Sequence, residues 1–158
     1  MFELSNIRAL KRSDLVNLKV ILDQTELFPS DMLDEMVDPF FNDPVCSDLW
    51  QVYEHEGRPV AFLYCVHEKL TEGTWNVLAI AVFPDFQNQG IGKLLMSNLE
   101  EILKGDNHTT LLVETSSLPE YENTRRFYDS IGYNKEAVIR DFYAKGDHKI
   151  VFWKSLIE

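Results

Sequence analysis

The residues of this chain best suited to chemistry lie in one stretch, Ile80-Ala81-Val82-Phe83-Pro84-Asp85-Phe86-Gln87-Asn88-Gln89-Gly90-Ile91-Gly92-Lys93. An apolar run leads into a turn, and two glycines stand where a long amphipathic pattern begins. Glycine lets an anion approach the free N–H groups of a helix's first turn, and the helix dipole adds attraction. The spacing therefore predicts a phosphate site. A P-loop needs glycine at position 87 and Ser or Thr after the lysine, but the chain has Gln87 and Leu94. A dinucleotide fingerprint needs a third glycine at position 95, where Leu95 stands. Both of those phosphate binders are excluded by spacing; a ligand-free tight turn is the bland alternative for a lone Gly-x-Gly.

A second pattern follows about forty residues later: Asn123-Thr124-Arg125-Arg126-Phe127-Tyr128-Asp129-Ser130-Ile131-Gly132-Tyr133. Gln87-x-x-Gly90-x-Gly92 resembles the acyl-CoA-binding motif of the GNAT (GCN5-related N-acetyltransferase) superfamily. The later segment resembles that family's second motif, an asparagine and an aromatic pair on a helix before a Gly-aromatic step. The resemblance covers Trp75 to Tyr133 closely and extends more loosely to both ends.

The resemblance implies an N-acetyltransferase that moves the acetyl group of acetyl-CoA, a cosubstrate, to a primary amine by direct attack in a ternary complex. The amides of Gln87, Asn88, Gln89, Gly90, Ile91, Gly92 and Lys93 would then hold the CoA pyrophosphate. The backbone of Ile80 and Val82 would pair with the pantetheine arm, with an N–H near Ile80 polarising the acetyl carbonyl. Asn123 would reach the cofactor; its alternative is an N-cap of the last helix. Tyr128 matches the family tyrosine that protonates the leaving thiolate; its alternative is a core aromatic. In this family the strand before the glycine turn and the strand Thr109 to Thr115 splay apart to admit the thioester. No motif fixes the base. Glu114 is the first candidate, because it interrupts the apolar run Leu111-Leu112-Val113 at the end nearest the splay. Asp141 and Tyr143 are weaker candidates for an acceptor pocket.

The elements that must position these residues follow from patterning. Ile7 to Leu10 reads as a strand, and Ser13 as the N-cap of a helix carrying Leu15, Leu18, Ile21 and Leu22. Pro29, Pro39 and Pro44 predict short helical pieces, such as Asp31 to Val37, in an acidic and aromatic segment that lines a substrate pocket or forms a lid. Leu49 to Glu54 and Pro59 to Val66 read as a hairpin across Glu56-Gly57-Arg58. Trp75 to Phe83 is a strand, Gly90 to Lys104 a helix, Thr109 to Thr115 a strand and Tyr121 to Ile131 a helix. Tyr133 to Phe142 and His148 to Leu156 close a last hairpin across Lys145-Gly146-Asp147. The expected class is α/β (α+β), the GNAT fold: a mixed, mostly antiparallel sheet of about seven strands with about four helices. Residues 1–158 show no repeat, low-complexity run or linker, which predicts a single domain.

Composition sets the outer limits. With 45% hydrophobic residues and a net charge of −11, the chain reads as globular and carries no basic footprint for nucleic acid. Acidity is compatible with steering a cationic small-molecule acceptor. No basic stretch followed by an apolar run opens the chain, no apolar segment is long enough to cross a bilayer, and Cys46 and Cys65 are too few for a disulfide framework. A cytoplasmic protein with no membrane partner is expected. Its four histidines have no metal-ligand spacing, so no metal is expected. A non-catalytic acyl-CoA-binding regulatory module and a protein or peptide N-acetyltransferase are the alternative functions. Dimers are common in the family, so a homodimer is an open expectation.

Overall fold

The computed structural model describes residues 2–157. Seven strands are hydrogen-bonded in the order β1-β2-β3-β4-β5-β7-β6, and four α-helices accompany them. Recorded pairings are antiparallel except β4 with β5, as expected for the α/β class with a mostly antiparallel sheet. Two compact units can be distinguished: the chain up to Val66 with Ala79–Glu101, and His67–Leu78 with the chain from Ile102 onward.

In the first unit, β1 (Ile7–Ala9), β2 (Leu49–His55) and β3 (Arg58–His67) are antiparallel neighbours. Glu56 and Gly57 both have positive φ, 50° and 79°, as a two-residue turn matched to strand twist requires. Helix α1 (Leu15–Thr25) buries Leu18, Ile21 and Leu22, and α2 (Leu33–Asn42) buries Leu33 and Val37. These side chains meet Trp50, Val52 and Phe62 from the strands and Ala79 and Ala81 from β4 (Thr74–Val82) in one core. Helix α3 (Ile91–Gly105) buries Ile91, Leu95, Met96 and Leu99, the stripe its sequence period predicts.

Two expectations need correction here. The residue preceding α1 is Asp14, not Ser13. Asp14 accepts from the Lys11 amide at 2.8 Å and from both Arg8 terminal nitrogens at 2.8 and 2.9 Å. Arg8 also donates to Glu54 at 2.8 and 2.9 Å. Burial opposes the Asp14 charge, yet these hydrogen bonds hold its carboxyl below the usual range. Pro39 does not separate two pieces but sits inside α2. It shares an exposed face with Glu35, four residues earlier, so water can satisfy the carbonyl that proline leaves unbonded.

The second unit is built on β5 (Thr110–Ser116). It pairs in parallel with Thr74–Val77 of β4 and antiparallel with β7 (Asp147–Ser155). β6 (Asn134–Ala144) pairs with β7 and ends the sheet order; all eleven of its residues are exposed. Helix α4 (Glu122–Ser130) presents Tyr128 to Phe152 of β7 and to Tyr133, with ring centroids 5.5 and 6.2 Å apart. No helix among the described residues is long and apolar enough to cross a membrane.

Candidate active site

The glycine turn lies in the first unit. β4 ends at Val82, one 3-10 turn covers Pro84–Phe86, and α3 starts at Ile91. The loop is braced by its own glutamines: Gln87 Nε2 donates to the Val82 carbonyl at 2.9 Å, and Gln89 Nε2 to the Asp85 carbonyl at 3.1 Å. The Gln87 amide is itself engaged, donating to the Pro84 carbonyl at 3.2 Å. The first hydrogen bond of α3 runs from the Leu94 amide to the Gly90 carbonyl at 3.0 Å. Between those two donors, the amides of Asn88, Gln89, Gly90, Ile91, Gly92 and Lys93 donate to no group among the described residues.

The backbone needed for this row is one that few residues adopt. Asn88 has φ 62° and Gly90 has φ 90°, and a Cβ at Gly90 would meet nothing within 4 Å. Glycine is required there for the turn, and the space beside it is open. Six undonated amides stand at the positive end of a fifteen-residue helix, an arrangement that favours an anion. Ile80 and Val82, on the strand leading in, are half-buried.

The proton-transfer candidates lie in the second unit. Tyr128 is 2% exposed, and burial, with the Tyr143 phenol adding, pushes its own phenol up from the ordinary value. Its hydroxyl has no hydrogen-bond partner among the described residues, yet it is not among the fully enclosed polar atoms. The ring is packed, and the hydroxyl is left without a partner among the described residues. Asn123, in the first turn of the same helix, is exposed and unbonded; the N-cap position belongs to Tyr121.

Glu114, on β5, uses one oxygen for structure. Its Oε2 accepts from Lys149 Nζ at 2.9 Å and from Asn76 Nδ2 at 3.1 Å. Its Oε1 has no partner and is not enclosed. Asn76 Nδ2 also meets Glu68 at 3.3 Å, and Asn76 Oδ1 is buried without a partner. Tyr143 links the two candidates electrostatically: burial first, then Glu114 and Asp147, push its phenol up. Asp141 has φ 56° and accepts the Gly146 amide at 2.8 Å, which gives it a turn-shaping role. Among the described residues no cluster of three or more His, Cys, Asp or Glu is grouped as metal ligands are.

The sequence reading missed Asn76 and Lys149. Asn76 left a trace, a polar residue inside the run Trp75–Val77 of β4. Lys149 left none, because a charged residue on a terminal strand reads as a solvated one.

Comparison with known proteins agrees with this architecture. Residues 47–135 match the model of the acetyltransferase (GNAT) domain family. A GNAT-family protein from Desulfovibrio desulfuricans superposes with a TM-score of 0.88 at 26% identity, over 96% of this chain and 98% of that one. An aminoglycoside 6'-N-acetyltransferase complexed with coenzyme A gives 0.77 at 18% identity, over 96% and 97%. The Escherichia coli ribosomal-protein-S18-alanine N-acetyltransferase gives 0.76 at 21%, over 96% and 94%. No curated protein sequence matches. With the family model covering more than half of its length and the GNAT fold throughout, the chain belongs to the GNAT acetyltransferases, and it is an acyltransferase.

Proposed function

We propose that the chain is one catalytic domain that transfers acetyl from acetyl-CoA to the primary amine of a small, cationic acceptor. The observation that carries this reading is the row of six undonated amides from Asn88 to Lys93, opened by Gly90. They would take the CoA pyrophosphate, as Asn123 would take another polar group of the cofactor. The Ile80 and Val82 backbone would align the pantetheine arm. A complex of coenzyme A with a GNAT-fold acetyltransferase of the same topology supports this cosubstrate.

The reaction breaks the thioester C–S bond and forms an amide C–N bond. A neutral amine attacks the carbonyl carbon, the tetrahedral intermediate collapses, and the CoA thiolate leaves. The amine's proton passes to Glu114 Oε1, directly or through water, while Lys149 and Asn76 hold the other oxygen still. The Tyr128 phenol would supply the proton to the departing sulfur. Because burial raises that phenol, it stays protonated at every ordinary pH. It serves first as a hydrogen-bond donor to developing thiolate charge and completes proton transfer as the thiolate loses its solvent.

The acceptor class rests on a hollow of about 400 Å³ in the first unit, lined by Leu22, Asp23, Glu26, Leu27, Phe28, Pro29 and Ser30. Asp23, Glu26 and the Phe28 ring on this surface suit an ammonium group. The test is initial-rate acetyl transfer over a panel of polyamines, aminoglycosides, amino acids and an Ala-terminated peptide, with thiol release as the signal. A cationic small molecule turning over fastest supports the proposal. Turnover of the peptide alone would replace it with N-terminal protein acetylation.

A further inference from the structure

The turn that presents the undonated amides is not held by its own residues alone. Asn88 stands at φ 62°, a strained backbone for a residue other than glycine. The two glutamine braces are exposed hydrogen bonds, which water can replace. From Pro84 to Gly90 every residue is exposed except Phe86, which is half-buried. Phe86 is therefore the apolar anchor of the turn, and what seats its ring fixes the amides that follow.

Three rings surround Phe86, all within the first unit. His55 and Phe2 meet it edge-on, with centroids 5.2 and 6.2 Å away, and Phe83 lies at 6.5 Å. Two of these walls belong to the sheet. His55 is the last residue of β2, and the Phe83 amide donates to the Val60 carbonyl of β3 at 2.8 Å. The third wall, Phe2, lies in no helix or strand. It is brought there by Tyr53 of β2, whose ring centroid is 5.8 Å from that of Phe2. The Tyr53 hydroxyl also accepts the Glu3 amide at 2.7 Å. Phe2 closes on His55 as well, at 5.4 Å.

We propose that Phe2 is a positioning residue for coenzyme A: it completes the seat of Phe86 and so holds the turn whose amides receive the ligand. This rests on reading Asn88 to Lys93 as the pyrophosphate site. A loop that must be ordered as the ligand binds loses affinity by the cost of that ordering, and a loop held beforehand does not. Phe2, His55 and Phe86 all lie outside the buried core of the first unit. Removing the Phe2 ring therefore loosens the turn without opening that core.

Calorimetric titration of coenzyme A into the full chain, beside a thermal melt of each ligand-free variant, tests this. Phe2→Ala should weaken binding about fivefold, the scale of one or two edge-on ring contacts. Phe2→Tyr keeps the ring at a half-buried position and should retain wild-type affinity. Phe86→Ala should weaken binding at least as much as Phe2→Ala. Adding Phe2→Ala to Phe86→Ala should change nothing further, because the seat is then empty. In the ligand-free protein, amide order parameters at Asn88, Gln89 and Gly90 should fall in Phe2→Ala while those in the middle of α3 hold. A Phe2 that only stabilises the fold would lower the melting temperature and leave affinity and order parameters unchanged. Unchanged affinity in Phe2→Ala, beside a wild type that binds, overturns this proposal alone. So does additive weakening in the double variant, or a folded Phe2→Tyr that binds as poorly as Phe2→Ala. A wild type that binds no coenzyme A overturns the pyrophosphate reading and this proposal with it.

Discussion

Replacing Tyr128 with Phe separates chemistry from packing. The ring is packed against Phe127, Phe152 and Tyr133, and Phe retains all of that surface. The hydroxyl has no partner to lose within the described chain, so its removal strands no buried donor or acceptor. The stability change should be within about 0.5 kcal/mol. For a chain of this size that is a melting shift under about 2 °C. A positioned proton donor contributes about 10²- to 10⁴-fold, equal to about 2.7–5.5 kcal/mol of barrier. The turnover number should fall by that range while acetyl-CoA affinity holds, since the undonated amides belong to another segment. Burial raises the Tyr128 phenol, so the wild type should show no decline from its ionisation up to about pH 10, the ordinary phenol value. Thiol-release kinetics from pH 6 to 10, beside a thermal melt, read both quantities. A folded Tyr128→Phe enzyme keeping most of its turnover removes Tyr128 from the reaction and leaves water as the donor.

Other expectations follow from the same geometry. Glu114→Gln should slow transfer most at low pH, where the amine is fully protonated, and leave acetyl-CoA affinity intact; wild-type rates throughout would make Glu114 structural. Gly90→Ala introduces a side chain at φ 90° with an expected strain of about 1 kcal/mol or more. It should reduce the stabilisation by acetyl-CoA, about 2.7 kcal/mol at a hundredfold excess over Kd in the wild type, read as a rise in melting temperature; an unchanged rise would place the site elsewhere. Asp14→Asn should cost about 1–2 kcal/mol at neutral pH, because it removes charged hydrogen bonds to Arg8 and Lys11 while Arg8, 25% exposed, keeps Glu54. The folded Asp14 carboxyl titrates below its unfolded value. Its contribution is therefore present above the unfolded value, about 3.9, and lost as pH falls through the folded one. Melts of wild type and variant should converge in acid; a constant gap would refute the ion-pair explanation.

Most of the fold was readable because its periods are local. The alternation of β2 and β3 with Glu56-Gly57 between them, and the stripe Ile91, Leu95, Leu99 on α3, need no knowledge of distant neighbours. Pro39 misled because a proline reads as a break unless the exposure of its helical face is known. The glycine turn was legible as a segment, but not that Gln87 would spend its amide and side chain bracing it. Least legible was the setting of Glu114. Asn76 is 38 positions before it and Lys149 is 35 after it, and only the sheet register brings them to one carboxylate oxygen. Nor does patterning distinguish an edge hairpin from an interior one, so the exposure of β6 emerged only from strand order.

The central claim is that the amides from Asn88 to Lys93 hold the pyrophosphate of acetyl-CoA. Titrating isotope-labelled protein with coenzyme A while following backbone amide resonances tests it residue by residue. The account predicts the largest downfield shifts at Asn88, Gln89, Gly90, Ile91, Gly92 and Lys93, saturating with one equivalent, with the already bonded Gln87 and Leu94 amides moving less. Saturable binding that leaves those six resonances in place, or shifts centred on a different segment, would contradict it.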